Sequence, residues 1–229
     1  MKSVMQTYPS LLRQPSVATY TEDALAQFAF SSDHLVRMVV RGQLSVPHAF
    51  ETRFRVPRTA ITALPGLPGD IDVLLSDPIR PSEAVAIECK VLKVKPEDFA
   101  PDSTVMVRGL PELKRGVEQG NGLAALGFHR SYLLVLLAVD GSERIWENFI
   151  GRGLTPQQLG VIHRTVDALV PELSEAVGFA RFEAVQTTGR EIYLSGGIGL
   201  LVSRQPAAQV QPTELSHRIA AYLAQSKSD

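Results

Sequence analysis

The stretch from Gly69 to Lys90, GDIDVLLSDPIRPSEAVAIECK, limits what this chain can become more than any other. It reads as two strand-like runs joined by a proline-containing turn, and each run carries acids where a buried strand is ordinarily apolar. Side chains alternate along a strand, so Asp70 and Asp72 share one face while Ile71, Val73 and Leu75 take the other. By the same rule Glu88 and Lys90 share a face, and Ile87, Cys89 and Val91 point the opposite way. If the runs are neighbours about 4.8 Å apart, Asp72 and Glu88 converge on one cation and Lys90 stands a pleat further along. Two carboxylates and a lysine at a sheet edge suit a hard ion such as Mg2+, which takes one or two carboxylates and keeps several waters.

The rest of the chain must supply a scaffold. With 229 residues, 45% hydrophobic and 21% charged, it can bury a sizeable core as one large domain or as a core with an extension. Its formal net charge of -1 means that any nucleic-acid surface is local, not a broad basic face. A single cysteine, Cys89, excludes an internal disulfide and zinc spacings built from cysteine, and a reducing cytoplasmic location is expected. The N-terminus lacks the basic, apolar and small-residue succession of a secretory signal. The longest apolar run, Tyr132 to Val139, falls far short of the roughly 20 residues that cross a bilayer, so it reads as a buried strand and no membrane partner is expected.

Residues 1–18 read as an irregular arm. Thr19-x-x-Glu22 offers a capping box for a first helix, and Ser31-Ser32-Asp33 a start for a second that stops at Gly42. Glu22 and Asp33 are first-turn charges that favour the helix dipole. Phe50, Thr52, Phe54 and Val56 alternate with Glu51, Arg53 and Arg55, which predicts a half-buried strand. Arg53, Arg55 and Arg58 make a basic cluster that could meet a DNA backbone, or simply a solvated strand face, and Lys93 and Lys95 stand beside Lys90.

A helix is expected from about Pro111 to Gly127 despite Gly116, Gly120 and Gly122, which implies close packing on one face. Ser131 to Val139 follows as a strand. Beyond it, Thr155-Pro156-Gln157-Gln158 begins a helix that Pro171 splits and Gly178 stops, Phe179 to Gln186 and Ile198 to Ser203 read as strands, and 212–224 as a last helix. The five histidines have no HxH or HExxH spacing, and Ser195 lacks a nucleophile elbow.

Asp72 followed by Glu88-Cys89-Lys90, in the order helix, three strands, helix, strand, resembles the PD-(D/E)xK nuclease superfamily. The leading Pro-Asp is replaced here by Pro68, Gly69 and Asp70 ahead of Asp72. The resemblance implies a restriction endonuclease-like αβββαβ core over residues 1–140, with a mixed central sheet flanked by helices, and residues 141–229 as an α+β extension packed on that core. It implies Mg2+ or Mn2+ held by Asp72, Glu88 and the Cys89 main-chain carbonyl, with Asp70 a further candidate ligand. Lys90 then acts on the attacking water, Gln119 stands near the carboxylates, and Glu22, Asp33 or Glu51 could add an acid.

The activity implied is metal-dependent DNA cleavage in phage defence or DNA repair, by a homodimer or with a partner protein. Two other readings of the same residues stand beside it: a catalytically silent nuclease-like module that binds DNA or assembles with other proteins, and a structural ion-pair cluster in an unrelated α/β protein.

Overall fold

The computed structural model describes residues 16–31, 42–46, 50–62, 69–99, 105–140, 156–186, 192–194 and 200–225. In chain order the elements are α1 (Glu22–Ser31), β1 (Glu51–Val56), a single turn α2 (Arg58–Ile61), β2 (Ile71–Asp77), β3 (Arg80–Val94), α3 (Leu110–Ala125), β4 (Arg130–Asp140), α4 (Pro156–Asp167), β5 (Val177–Gln186), β6 (Ile192–Leu194), β7 (Leu200–Arg204) and α5 (Thr213–Gln225). β1, β2 and β3 form an antiparallel meander. β4 lies parallel to β3, and β5 parallel to β4. At the far side β5 pairs antiparallel with both β6 and β7, which gives a mixed sheet of seven strands among the described residues.

β3 organises this sheet. It is 15 residues long, and alternation along it divides the core. Val85, Ile87 and Cys89 face α1, where they pack with Leu25, Phe28 and Ala29 and with Leu134, Leu136 and Phe182 of the neighbouring strands. The Phe28 and Phe182 rings meet edge to face at 5.8 Å, a favourable arrangement of their quadrupoles. On the opposite face Ala84 and Ala86 join Leu123, Leu126, Phe128 and the α5 residues Leu215, Ile219 and Leu223. Further along the same face, Leu92 and Val94 join Leu113, Val117, Ile162 and Val166 from α3 and α4. Glu88 and Lys90 occupy the two positions between these apolar clusters.

The glycines of α3 cost helix propensity but let the helix lie close on the sheet. Gly116, Gly120 and Gly122 are all buried. A Cβ at Gly116 would stand 2.5 Å from Lys90 Cγ and 3.1 Å from Leu133 Cδ1, so this glycine makes room for the lysine stem.

Several local expectations are corrected. Thr19 is not the cap of α1: its hydroxyl donates to the Ser16 carbonyl at 2.6 Å, while Thr21 Oγ1 accepts from Ala24 N at 3.2 Å, so Glu22 opens the helix. Val56 does not join Phe50 and Phe54; it packs with Ile71, its register partner, in the cluster beneath α5, and the intervening Arg55 has φ 51, a left-handed backbone rare outside glycine. Gly178 does not end α4. That helix stops at Asp167, and a short 3-10 turn follows at Val170–Glu172, as the proline at 171 requires.

Gly178 is instead the second residue of β5, where an added Cβ would overlap the Tyr132 ring and stand 2.7 Å from Pro206 Cδ. The second helix expected from Asp33 to Gly42 lies largely outside the described residues, as does Ser195. Because the Tyr132 ring and the proline cannot swing aside, Gly178→Ala should lower the unfolding free energy by about 2 kcal/mol, the usual scale of core overpacking. Urea titration checks this, and an unchanged midpoint would overturn the packing account.

Candidate metal centre and adjoining cleft

The pairing of β2 with β3 begins at Asp77 opposite Arg80, shifts register, then runs from Leu75 opposite Val85 to Val73 opposite Ile87, and no ladder pair follows. From there the β3 amides need other partners, because a buried donor left unpaired is costly. Two carboxylates supply them. Asp72 Oδ2 accepts from Cys89 N at 2.7 Å, and Glu22 Oε2, arriving from the first turn of α1, accepts from Val91 N at 3.1 Å. Alternation then sends the Cys89 side chain into the core, fully buried, and the Glu88 and Lys90 side chains beneath α3.

Lys90 is the hub. Its Nζ donates to Glu88 Oε1 at 2.5 Å and to the Cys89 carbonyl at 2.7 Å, and lies 3.9 Å from Glu22 Oε1. Glu88 is 1% exposed. Its second oxygen, Oε2, has no hydrogen-bond partner among the described residues and faces the Arg58 guanidinium at 3.8 Å. Arg58, at the start of α2, is itself only 5% exposed, and none of its three guanidinium nitrogens finds a hydrogen-bond partner among the described residues.

These surroundings shift the ionisable groups. Burial pushes the Glu88 carboxyl from 4.5 up to about 7, and the Asp72 charge adds to this while Lys90 and Arg58 oppose it. Burial likewise raises Asp72, against the pull of the Cys89 amide and Lys90. Glu22 is raised by burial, with Lys90 opposing. For Lys90 burial acts downward, but Glu88, Glu22 and Asp72 together outweigh it and hold its pKa above the ordinary value. The lysine is therefore an ammonium at neutral pH.

The donor chemistry fits a hard divalent cation. Carboxylate and carbonyl oxygens lie close together, and the inner Glu88 oxygen is short of a hydrogen-bond donor among the described residues. Among the described residues, no three His, Cys, Asp or Glu side chains form a ready-made metal cage. Asp72, Glu88 and the Cys89 carbonyl are the groups that would hold such an ion.

The other expected site residues separate into those gathered here and those not. Asp70 lies exposed, one residue ahead of β2. Glu51 is opposite Ser76, at the far end of β1 from the Asp72 position, roughly 13 Å away at about 3.3 Å per residue, and it pairs with Arg53 at 2.8 Å. Asp33 lies outside the described residues. Glu22 joins the site because α1 packs across the sheet face where β2 and β3 part.

Each arginine of the expected basic cluster faces an acid. Arg53 is paired with Glu51, Arg55 with Asp23 at 3.1 Å, and Arg58 is buried beside Glu88. Lys93 and Lys95 are half-buried further along and after β3.

Gln119 does face the site. With Glu22, Lys90, Val91, Glu112 and Arg115 it lines a cleft of about 270 Å³. Glu112, Arg115 and Gln119 were not legible as a group from composition, yet their spacing of three and four residues places them on one stripe of α3. Elsewhere, His163 Nε2 lies 2.8 Å from Glu183 Oε1, and Arg181 pairs with Asp167 at 3.1 Å, joining α4 to β5 away from this cleft.

No family model matches the chain, and no curated protein does. Among solved structures, that of Pyrococcus furiosus SfsA in complex with Ca2+ aligns with 76% of this chain and 62% of that one, at 15% identity and a TM-score of 0.30. The chain thus spans about three-fifths of that protein's length. A match so loose does not define a common fold, and the site stands on its own geometry. No helix among the described residues is long and apolar enough to cross a membrane.

Two outcomes follow from this geometry. Glu88 binds its proton more tightly when folded, so the folded chain keeps a proton that the unfolded chain releases between pH 4.5 and about 7. Stability conferred by this group is fully present below 4.5 and declines as pH rises to about 7. Glu88→Gln should remove that decline, and urea titrations of both proteins across the window would show the difference; a constant offset between them contradicts it. Arg58→Met leaves the inner Glu88 oxygen without its counter-charge and should cost about 3 kcal/mol. Most of that loss should return when Glu88→Gln is added, whereas simple additivity of the two substitutions would show that the groups do not interact.

Proposed function

We propose that the chain is a divalent-metal-dependent deoxyribonuclease that hydrolyses phosphodiester bonds, built on a restriction endonuclease-like αβββαβ core. The observation supporting this is that Glu88 and Glu22 meet at one buried ammonium where β2 and β3 part, with Asp72 held on the neighbouring Cys89 amide. Asp72, Glu88 and the Cys89 carbonyl would hold Mg2+ or Mn2+. Such an ion supplies Lewis acidity toward a phosphoryl oxygen and lowers the pKa of bound water.

Hydrolysis joins the water oxygen to phosphorus, breaks one phosphorus–oxygen ester bond, and requires a proton to leave the water and another to reach the departing alkoxide. Lys90 keeps its charge at neutral pH, so its role is electrostatic: it orients the water and stabilises negative charge developing on the phosphate, and does not take the proton. Glu22 has one oxygen on Val91 N and the other 3.9 Å from Lys90, at the cleft, where a carboxylate with a raised pKa is suited to accept the water's proton. Gln119 offers an amide donor and acceptor from the cleft's opposite wall.

A second reading, a catalytically silent module that binds DNA or assembles with a partner, is favoured by one observation: Lys90 already occupies Glu88 Oε1 and the Cys89 carbonyl, two of the oxygens an ion would need. Incubation of plasmid and linear DNA with Mg2+ or Mn2+ separates the two. The nuclease reading expects cleavage that falls by at least about a hundredfold in Lys90→Ala, the scale of losing one charge-stabilising group. Equal residual cleavage by both proteins sinks it, and binding without cleavage by either supports the silent module.

A further inference from the structure

We infer that the sugar–phosphate backbone of the substrate passes along α3 and that Arg115 grips a phosphate beside the one cleaved, a proposal that rests on the nuclease reading above. The cations of the β1 side are already committed: Arg53 to Glu51, Arg55 to Asp23, and Arg58 to the buried flank of Glu88. A polyanion approaching over β1 would compete with these acids for each guanidinium.

The α3 side differs. Arg115 is exposed, lines the cleft that also holds Lys90, and enters no hydrogen bond or ion pair among the described residues, although Glu112 and Glu118 each lie three positions from it on the helix. Arg115 and Lys90 line the same cleft, and the Lys90 stem rests on Gly116, the residue next to Arg115. A guanidinium presents a rigid fork of donors that matches two phosphate oxygens, whereas the ammonium of Lys90 is a point charge. Glu22 and Glu112 line the same cleft and repel a phosphate, so Arg115 and Lys90 are the positions at which an anion can settle. Gln119, one turn along from Arg115, adds a neutral donor and acceptor next to that path. The direction of entry is therefore set by α3 and not by the arginine-rich strand.

The test compares binding of a short labelled DNA, duplex and single-stranded, to the whole chain and to Arg115→Gln, Arg115→Lys and Arg55→Gln, in metal-free buffer across a range of salt. Loss of one phosphate contact should weaken Arg115→Gln by roughly eightfold at about 0.1 M salt and make its salt slope shallower by about 0.9, the signature of one counterion no longer released. Arg115→Lys should keep the slope, and Arg55→Gln should bind as the unaltered chain does. Unchanged affinity and slope in Arg115→Gln, the loss appearing in Arg55→Gln instead, or no DNA binding by the unaltered chain would each overturn the inference.

Cleavage with Mg2+ separates the failures. Lys90-dependent cutting that ignores Arg115→Gln removes only the Arg115 contact. Arg115-dependent binding with no Lys90-dependent cutting removes the nuclease reading and leaves the phosphate contact in place.

Discussion

A buried ion pair on the central strand governs this structure. Glu88 and Lys90 stand on the β3 face where Ala84 and Ala86 precede them and Leu92 and Val94 follow, so apolar contact continues on both sides of two charges. Neither charge could remain there alone, since an unpaired ion in such surroundings costs several kcal/mol. Much of the neighbouring architecture follows from meeting that demand. Gly116 lets the lysine stem lie flat beneath α3, the Cys89 carbonyl accepts a second hydrogen bond from the ammonium, and Arg58 is drawn out of solvent to the far oxygen of Glu88.

The parting of β2 from β3 is the second constraint, and it joins stability to chemistry. Where the ladder stops, Asp72 and Glu22 accept from the amides of Cys89 and Val91, so the same carboxylates that give the site its negative charge also satisfy the backbone. These groups are fixed by main-chain bonds, which lowers the cost of holding them in place for a ligand. It also means that substituting either carboxylate removes a structural bond along with a charge. Loss of activity in such a variant is informative only when its stability is measured alongside.

Charge is spent locally in this molecule. A net charge of -1 hides an uneven distribution: the arginines that look like a nucleic-acid surface in the sequence are tied to Glu51, Asp23 and Glu88, and the guanidinium at the cleft, unpaired among the described residues, comes from α3. Field at the site therefore depends on a few groups at short range. Burial itself disfavours the charged carboxylates, which is the main cause of the upward shifts of Glu22, Asp72 and Glu88.

Sequence alone determined the parts that rest on strict local period. Alternation put Glu88 and Lys90 on one face and Cys89 on the other, set Asp72 on a strand beside them, and marked β4, α3 and the last helix by apolar spacing. Local signals misplaced the α1 cap, because Thr19 and Thr21 are equally good oxygen acceptors and only the path of the chain from Ser16 selects Thr21. They read Gly178 as a helix stop, because a glycine needed for contact with Tyr132 cannot be told from a glycine that ends a helix.

Tertiary structure alone decided that Glu22 reaches Val91 across 69 positions of sequence, that Arg58 is buried, and that Glu112, Arg115 and Gln119 share a cleft with Lys90. The physical reason is that a period tells which side of its own element a residue takes. What it faces there depends on how separate elements pack, and that is fixed by burial of apolar surface and satisfaction of backbone donors over the whole chain.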